Sequence, residues 1–318
     1  MSGECLRVLY VLGIYHSGTT LLSNLLGQLE GFFCVGELRS VWRKSMVPNA
    51  RCGCGERMAE CQIWSQILHA VLGEQHDREA LARKIWQWQR EAVHEVHTWR
   101  YVPGLLRQRS RGLPEGTPLA SYAKELASMY RAIAAETGAA VIVDSSKEPT
   151  DAALLLMMPE VDVTFVQIVR DPRGTANSIL RFRDGGQPAT QRRLRQSAYA
   201  ALSWSAGNMA GAAVRRAVAP SRSMLVRYED FVSQPADTVH AIAELAGKPA
   251  WLAAHPEPGK VYLDTVHTVG GNNNRFRTGE IQLSEETTWR SQLHPLNRAA
   301  VTIMCAPLMA RYGYQLAS

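Results

Sequence analysis

The sequence predicts an α/β fold, a three-layer sandwich with a central parallel sheet and a helical insertion. Three observations predict it. Short apolar runs recur along the chain with helix-like segments between them. The first of these runs leads straight into a glycine loop and a helix start. Residues 62–136 are rich in Ala, Leu, Trp, Gln and Arg and poor in β-branched residues, which reads as helices inserted between two strands.

Taken in order, residues 6–12 form the first strand. Leu21, Leu22, Leu25, Leu26 and Leu29 follow at helical spacing, so a helix opens near Thr19 and continues to Leu29. Residues 32–35 are a short second strand. The insertion comes next, its helices separated at Pro103-Gly104 and at 112–114. Strands three, four and five are expected at 139–143, 161–169 and 223–227, and a closing helix at 296–312. With 318 residues, 46% of them hydrophobic, the chain can bury a sizeable core. No repeat, low-complexity segment or linker divides it, so residues 1–318 read as one domain.

The net charge of +6 suits an anionic ligand but is too mild to imply nucleic acid. Arginines cluster late, at 192–195 and 275–277, and the first cluster also fits a solvated basic face. No apolar run reaches the roughly 18 residues of a membrane span, and residues 1–5 lack the plan of a secretory signal. The expectation is a cytoplasmic protein. Of six cysteines, Cys5, Cys34 and Cys305 sit among apolar residues and read as small core side chains. Cys52, Cys54 and Cys61 lie close together. Three thiols suggest a metal, but a closed zinc site needs four ligands and no fourth lies nearby in sequence. A structural loop and a metal site both stay open; a reducing compartment argues against a disulfide.

The chemistry starts at Gly13-Ile-Tyr-His-Ser-Gly-Thr-Thr20, between the first strand and its helix. Amides at a glycine loop and a helix N-terminus form an anion cradle, and the segment resembles a phosphate-binding P-loop. A Mg-nucleotide triphosphatase would carry Gly-Lys-Ser/Thr here; this chain has Gly18-Thr19-Thr20. The second stretch is Val166-Gln-Ile-Val-Arg170-Asp-Pro-Arg-Gly-Thr-Ala-Asn-Ser178. Arg170 emerges at the C-terminal end of the fourth strand, where open α/β sheets bind ligands. Asp171-Pro172 reads as an N-cap followed by proline at the first helical position. Ser178 falls two turns into that helix and Arg181 one turn later on the same side. An ion pair of Arg170 or Arg173 with Asp171 is the simpler reading of this motif alone.

Together the two stretches resemble the PAPS-dependent sulfotransferase family, nearest its tyrosylprotein and carbohydrate branch (PAPS is 3′-phosphoadenosine 5′-phosphosulfate). The resemblance implies a P-loop nucleoside triphosphate hydrolase-like fold. It implies that Tyr15, His16, Ser17, Gly18, Thr19 and Thr20 hold the 5′-phosphosulfate, and that Arg170 and Ser178 hold the 3′-phosphate. It extends to residues 225–230, with Tyr228 and Arg181 near the nucleotide. It also reaches Gly270-Gly-Asn-Asn-Asn274-Arg275-Phe276-Arg277, similar to the family's late loop over the nucleotide. Many relatives carry Lys or Arg where this chain has His16, which can donate a hydrogen bond but supplies no permanent cation. Lys147 could supply that charge. Ser145 and Ser146 fit phosphosulfate contacts or helix caps equally. Glu37, in a Gly-Glu segment similar to that of the tyrosylprotein branch, is the implied general base, with His16 as the competitor. A Glu37–Arg39 surface pair is the plainer alternative.

The expected reaction is sulfuryl transfer from PAPS to a hydroxyl of a small molecule or sugar, leaving 3′-phosphoadenosine 5′-phosphate. Such transfer asks chiefly for positioning and charge stabilisation, and no metal is called for. A P-loop kinase or nucleotidase, and a non-catalytic nucleotide binder, are the alternatives. Trp86, Trp88, Trp99 and Tyr101 in the insertion fit a sugar or aryl acceptor. Trp204 and Trp289 read as packing residues. His69, His76, His94, His97, His240 and His255 read as structural, while His267 and His294 have no place in the pattern.

Overall fold

A computed structural model describes residues 5–316 apart from 74, 94–97, 184–192, 254, 256 and 258; for 75–77 it describes the backbone alone. Arg192, His94, His97 and the side chain of His76 lie outside the described residues.

Five parallel strands form the central sheet: β1 (Leu6–Leu12), β2 (Phe32–Gly36), β3 (Val141–Lys147), β4 (Val161–Val169) and β5 (Ser223–Arg227), in the order β2-β3-β1-β4-β5. Helix α1 (Thr19–Leu26) follows β1, and α2 (Val41–Ser45) follows β2. The insertion carries α3 (Gln62–Leu72), α4 (Gln75–Val93), α5 (Val102–Gln108) and α6 (Pro118–Thr137). Next come α7 (Pro149–Leu155), α8 (Pro172–Arg183), α9 (Leu194–Arg216), α10 (Tyr228–Ser233) and α11 (Pro235–Leu245). A hairpin of β6 (Lys260–Leu263) and β7 (Gly279–Gln282) precedes α12 (Trp289–Gln292) and α13 (Pro295–Arg311).

The alternation of strand side chains builds the layers. On β1, Val8, Tyr10 and Leu12 enter the core shared with α3, α4 and α6, while Leu9 and Val11 enter the one shared with α1 and α11. Every residue from Val8 to Leu12 is therefore buried, as a strand covered on both faces requires. Among the described residues, no helix is long and apolar enough to cross a membrane.

Strands one, two, four and five and the closing helix fall within a residue or so of the expected bounds. Five details differ. Helix α1 ends at Leu26, and its C-cap is Gly27, where a Cβ would sit 2.5 Å from the Cys34 Cβ. Leu29 is buried in the following turn instead. Strand β3 starts two residues later than its apolar run and continues through Asp144-Ser-Ser-Lys147. Pro103-Gly104 opens α5 rather than breaking the chain, since proline is tolerated in a first helical turn. Cys5 is exposed, whereas Cys34 and Cys305 are buried as expected. The hairpin has no counterpart in the sequence reading.

Candidate active site

All five strands of the sheet end on one side of it, and each end delivers one group. Across the sheet these are Glu37 after β2, Lys147 closing β3, the glycine loop after β1, Arg170 after β4 and Tyr228 after β5. A cavity of about 490 Å³ is lined by Tyr15, His16, Gly18, Thr19, Thr20, Leu21, Glu37, Lys147, Arg170, Ser178, Phe182, Tyr228 and Gly271 to Asn274. A hollow of about 550 Å³ between α5 and the turn before α6 is lined by Gly104, Arg107, Gln108, Arg111, Gly112 and Pro114. It brings two arginines together but none of the strand-end groups.

The glycine loop is fixed by its own backbone. Ser17 is fully buried, and its N–H and Oγ both donate to the Ile14 carbonyl, at 3.2 and 2.7 Å. Gly18 is left-handed (φ 94°) and caps α1 without a side-chain hydrogen bond, so the first-turn N–H donors of that helix are left to the cavity. A Cβ on Gly18 would lie 2.4 Å from the Tyr228 ring, which packs directly on the loop.

His16 is the meeting point. Arg170 Nη1 donates to its carbonyl at 2.9 Å, and Ser178 Oγ lies 3.0 Å from its Nδ1. Phe182 approaches the imidazole with ring centroids 5.8 Å apart. Burial first, then Arg170 and Lys147, lower the His16 pKa, so the imidazole is neutral at neutral pH. Arg170 is 8% exposed and lies 4.6 Å from the Tyr228 ring centre. Its Nη2 donates to Glu286 at 2.7 Å. The backbone around it is pinned by Trp204 Nε1, which donates to the Arg170 carbonyl at 2.9 Å. Asp171 pairs with Arg173 and accepts from the Arg173 N–H at 2.8 Å, so the neighbouring ion pair belongs to Arg173 and not to Arg170.

On the other flank Lys147 forms an ion pair with Glu37. Arg39 pairs with Asp151 instead, which frees Glu37 to face the cavity. The Glu37 N–H donates to the Val269 carbonyl at 2.7 Å, tying β2 to a strap of residues 266–274 that carries Gly271 to Asn274 over the cavity. His16 and Lys147 both adopt positive φ, 67° and 73°. Non-glycine residues there are uncommon and tend to mark functional sites.

Several expected residues stand elsewhere. Ser145 and Ser146 are buried in β3; Ser146 is bonded to Asp144 and accepts from the Arg39 N–H at 2.9 Å, so it holds the strand end. Asp144 also accepts from the Tyr130 hydroxyl at 2.7 Å, and burial pushes its pKa up to about 6. Arg275 is buried and donates to the carbonyls of Gly271 and Arg51, bracing the strap from behind. Arg275, Phe276, Arg277 and Arg181 do not line the cavity. Gly271 to Asn274 of the expected late loop do line it, whereas Phe182 and Glu286 are site residues that the sequence did not single out. Phe182 stands four residues past Ser178, a helical turn that could have flagged it. Glu286 lies in a polar loop with no local signal.

The cavity thus gathers a glycine loop at a helix start, two cationic side chains, Arg170 and Lys147, from the strands on either side of it, and the Glu37 carboxylate beyond Lys147. The chain matches the profile of the sulfotransferase family over residues 9–252. Its fold is similar to the sulfotransferase domain from the curacin biosynthetic pathway: 15% identity, 96% of this chain and 97% of that one, TM-score 0.51. It is also similar to sulfotransferase STF9 from Mycobacterium avium: 14% identity, 97% of this chain and 77% of that one, TM-score 0.51. No curated sequence matches it. Such identities speak for the fold, and the P-loop-type three-layer sheet agrees with it; the profile match covers most of the chain, glycine loop and strand-end arginine included, and the chain belongs to the sulfotransferase family.

Proposed function

We propose that the chain is an enzyme that moves a sulfuryl group from PAPS to a hydroxyl of a small-molecule or carbohydrate acceptor, working as a single domain. The observation that carries this is the double attachment of His16: Arg170 and Ser178 both reach it from the neighbouring strand and helix. One cavity therefore offers a glycine-loop anion cradle and a distinct arginine–serine pair. A nucleotide phosphorylated at both the 5′ and 3′ positions suits that pairing, and a triphosphate does not need it. The cradle itself fits a phosphate, since Gly18 caps α1 with no side-chain hydrogen bond and Gly18, Thr19 and Thr20 line the cavity at that helix start.

PAPS supplies the activated sulfuryl group. The amides from Ser17 to Thr20 would hold its 5′-phosphate, and Arg170 with Ser178 its 3′-phosphate. Tyr228, in contact with both Gly18 and Arg170, would border the nucleotide. Neutral His16 would donate a hydrogen bond, and Lys147 would bring the fixed charge that His16 lacks. Glu37, held by Lys147 and by the strap, would accept the acceptor's proton. Glu286 would compete with the 3′-phosphate for Arg170. Titration calorimetry tests the reading: 3′-phosphoadenosine 5′-phosphate should bind at least tenfold more tightly than AMP. Equal affinities would remove the 3′-phosphate assignment.

A further inference from the structure

The cysteine-rich loop is one ligand short in sequence, and the fold supplies the fourth. His267, 206 residues after Cys61, places its Nδ1 3.2 Å from Cys61 Sγ and 3.8 Å from Cys52 Sγ. With Cys54, the four donor atoms all lie within 4.8 Å of one another. We propose that Cys52, Cys54, Cys61 and His267 form a structural zinc site that fastens the 51–61 loop to the strap beside the cavity.

The geometry is close to what the ion needs. Zn–S bonds of about 2.3 Å and Zn–N bonds of 2.0–2.1 Å give a tetrahedral shell with edges of roughly 3.5–3.8 Å. The donors already approach that spacing, and all six cysteines are free thiols. The donor set is soft and closed, three sulfurs and one imidazole with no open position, which matches structural rather than catalytic zinc. Binding is redox-neutral: the ion enters as Zn²⁺, three thiols release their protons to solvent, and His267 binds through its unprotonated Nδ1.

The surrounding backbone is shaped for the same purpose. Gly53 N–H donates to the Thr268 carbonyl at 3.0 Å. A Cβ on Gly53 would sit 2.5 Å from both the Val266 carbonyl and Thr268 Oγ1, so only glycine lets the loop meet the strap on either side of His267. Buried Trp64 donates from Nε1 to the His267 carbonyl at 2.8 Å, which fixes the histidine's backbone. Cys61 is the N-cap of α3, so the start of that helix fixes its backbone beside the strap. A disulfide would use two of the thiols and leave His267 and the third without a task.

Elemental analysis tests the assignment on wild-type chain purified without chelator from zinc-supplemented culture. The expected result is about one zinc per chain, with Co²⁺ replacement giving the thiolate charge-transfer and tetrahedral absorption bands. Cys54→Ser and His267→Ala should each lower occupancy severalfold. A zinc chelator should lower the Tm of the wild type and leave that of the variants unmoved. Wild-type protein with zinc far below one per chain, or an intact mass lighter by the two hydrogens of a disulfide, would overturn it. Because the wild type carries the decisive measurement, variants that fail to fold do not blunt the test. Nothing in it depends on sulfuryl transfer.

Discussion

Arg170 is buried and committed to two partners, a backbone carbonyl and Glu286, so its removal should act on binding more than on chemistry. A hydrogen bond to a charged group contributes about 1.5–3 kcal/mol, which makes Arg170→Ala a roughly 10- to 100-fold rise in KM for PAPS. An unchanged KM in steady-state assays would detach Arg170 from the donor. Glu37→Gln should cut kcat by about 10²–10⁴, the usual range for a general base, while calorimetry still finds nucleotide binding; an unaltered kcat would hand the role to another group. His16 gives a pH test. Its pKa is lowered in the folded chain, so below about pH 6.5 the unfolded chain takes up the proton more readily and stability falls as pH drops. Wild type should therefore lose stability relative to His16→Gln between pH 7.5 and 5.5, read from urea midpoints. A constant offset would contradict the lowered pKa. At this scale the motif residues were legible in the sequence because loop and strand-end chemistry is local. Glu286 and His267 were not, because each acts on a partner more than a hundred residues away.

The elements were legible wherever apolar burial alone decides them. Strand β3 shows where that fails: its last four residues are polar, yet all are buried. Asp144, Ser146 and Tyr130 satisfy one another, and Lys147 is satisfied by Glu37, so polarity does not end the strand. The β6–β7 hairpin was missed for the opposite reason, as two four-residue strands among loops carry too little periodicity. The junction of β1 and α1 allows a sharper experiment. Gly18→Ala forces an L-residue into the left-handed region, about 1–2 kcal/mol, and drives its Cβ into the Tyr228 ring. It should lower Tm and abolish nucleotide binding. Tyr228→Ala in the same background should restore part of the stability, since it relieves the contact but not the φ. No recovery would show that the backbone conformation alone carries the cost.

Across the whole molecule, the C-terminal segment reaches back to the middle of the site. After α13, Tyr314 donates its hydroxyl to the Val169 carbonyl (3.1 Å) and lies 2.8 Å from Glu229 Oε2, while Glu229 Oε1 accepts from the Asp171 N–H at 3.0 Å. The residues on both sides of Arg170 are therefore held by the far end of the chain. Tyr314→Phe leaves buried acceptors short of a donor, a loss of roughly 1–3 kcal/mol. It should raise the KM for PAPS more than it lowers kcat, as befits a positioning residue; a purely thermal effect with unchanged kinetics would confine Tyr314 to stability. The layered architecture could be inferred from the order of runs, but this long return contact could not, because one tyrosine in a tail has no pattern around it.

The strand order β2-β3-β1-β4-β5 has one more consequence. Neighbouring strands lie about 4.8 Å apart, so the five strand ends span roughly 19 Å, with Glu37 following one edge strand and Tyr228 following the other, its ring turned back onto the glycine loop. A ligand lying along that row is read in one direction only. Exchanging side chains can weaken one position in it, but reversing its polarity would require rewiring the sheet.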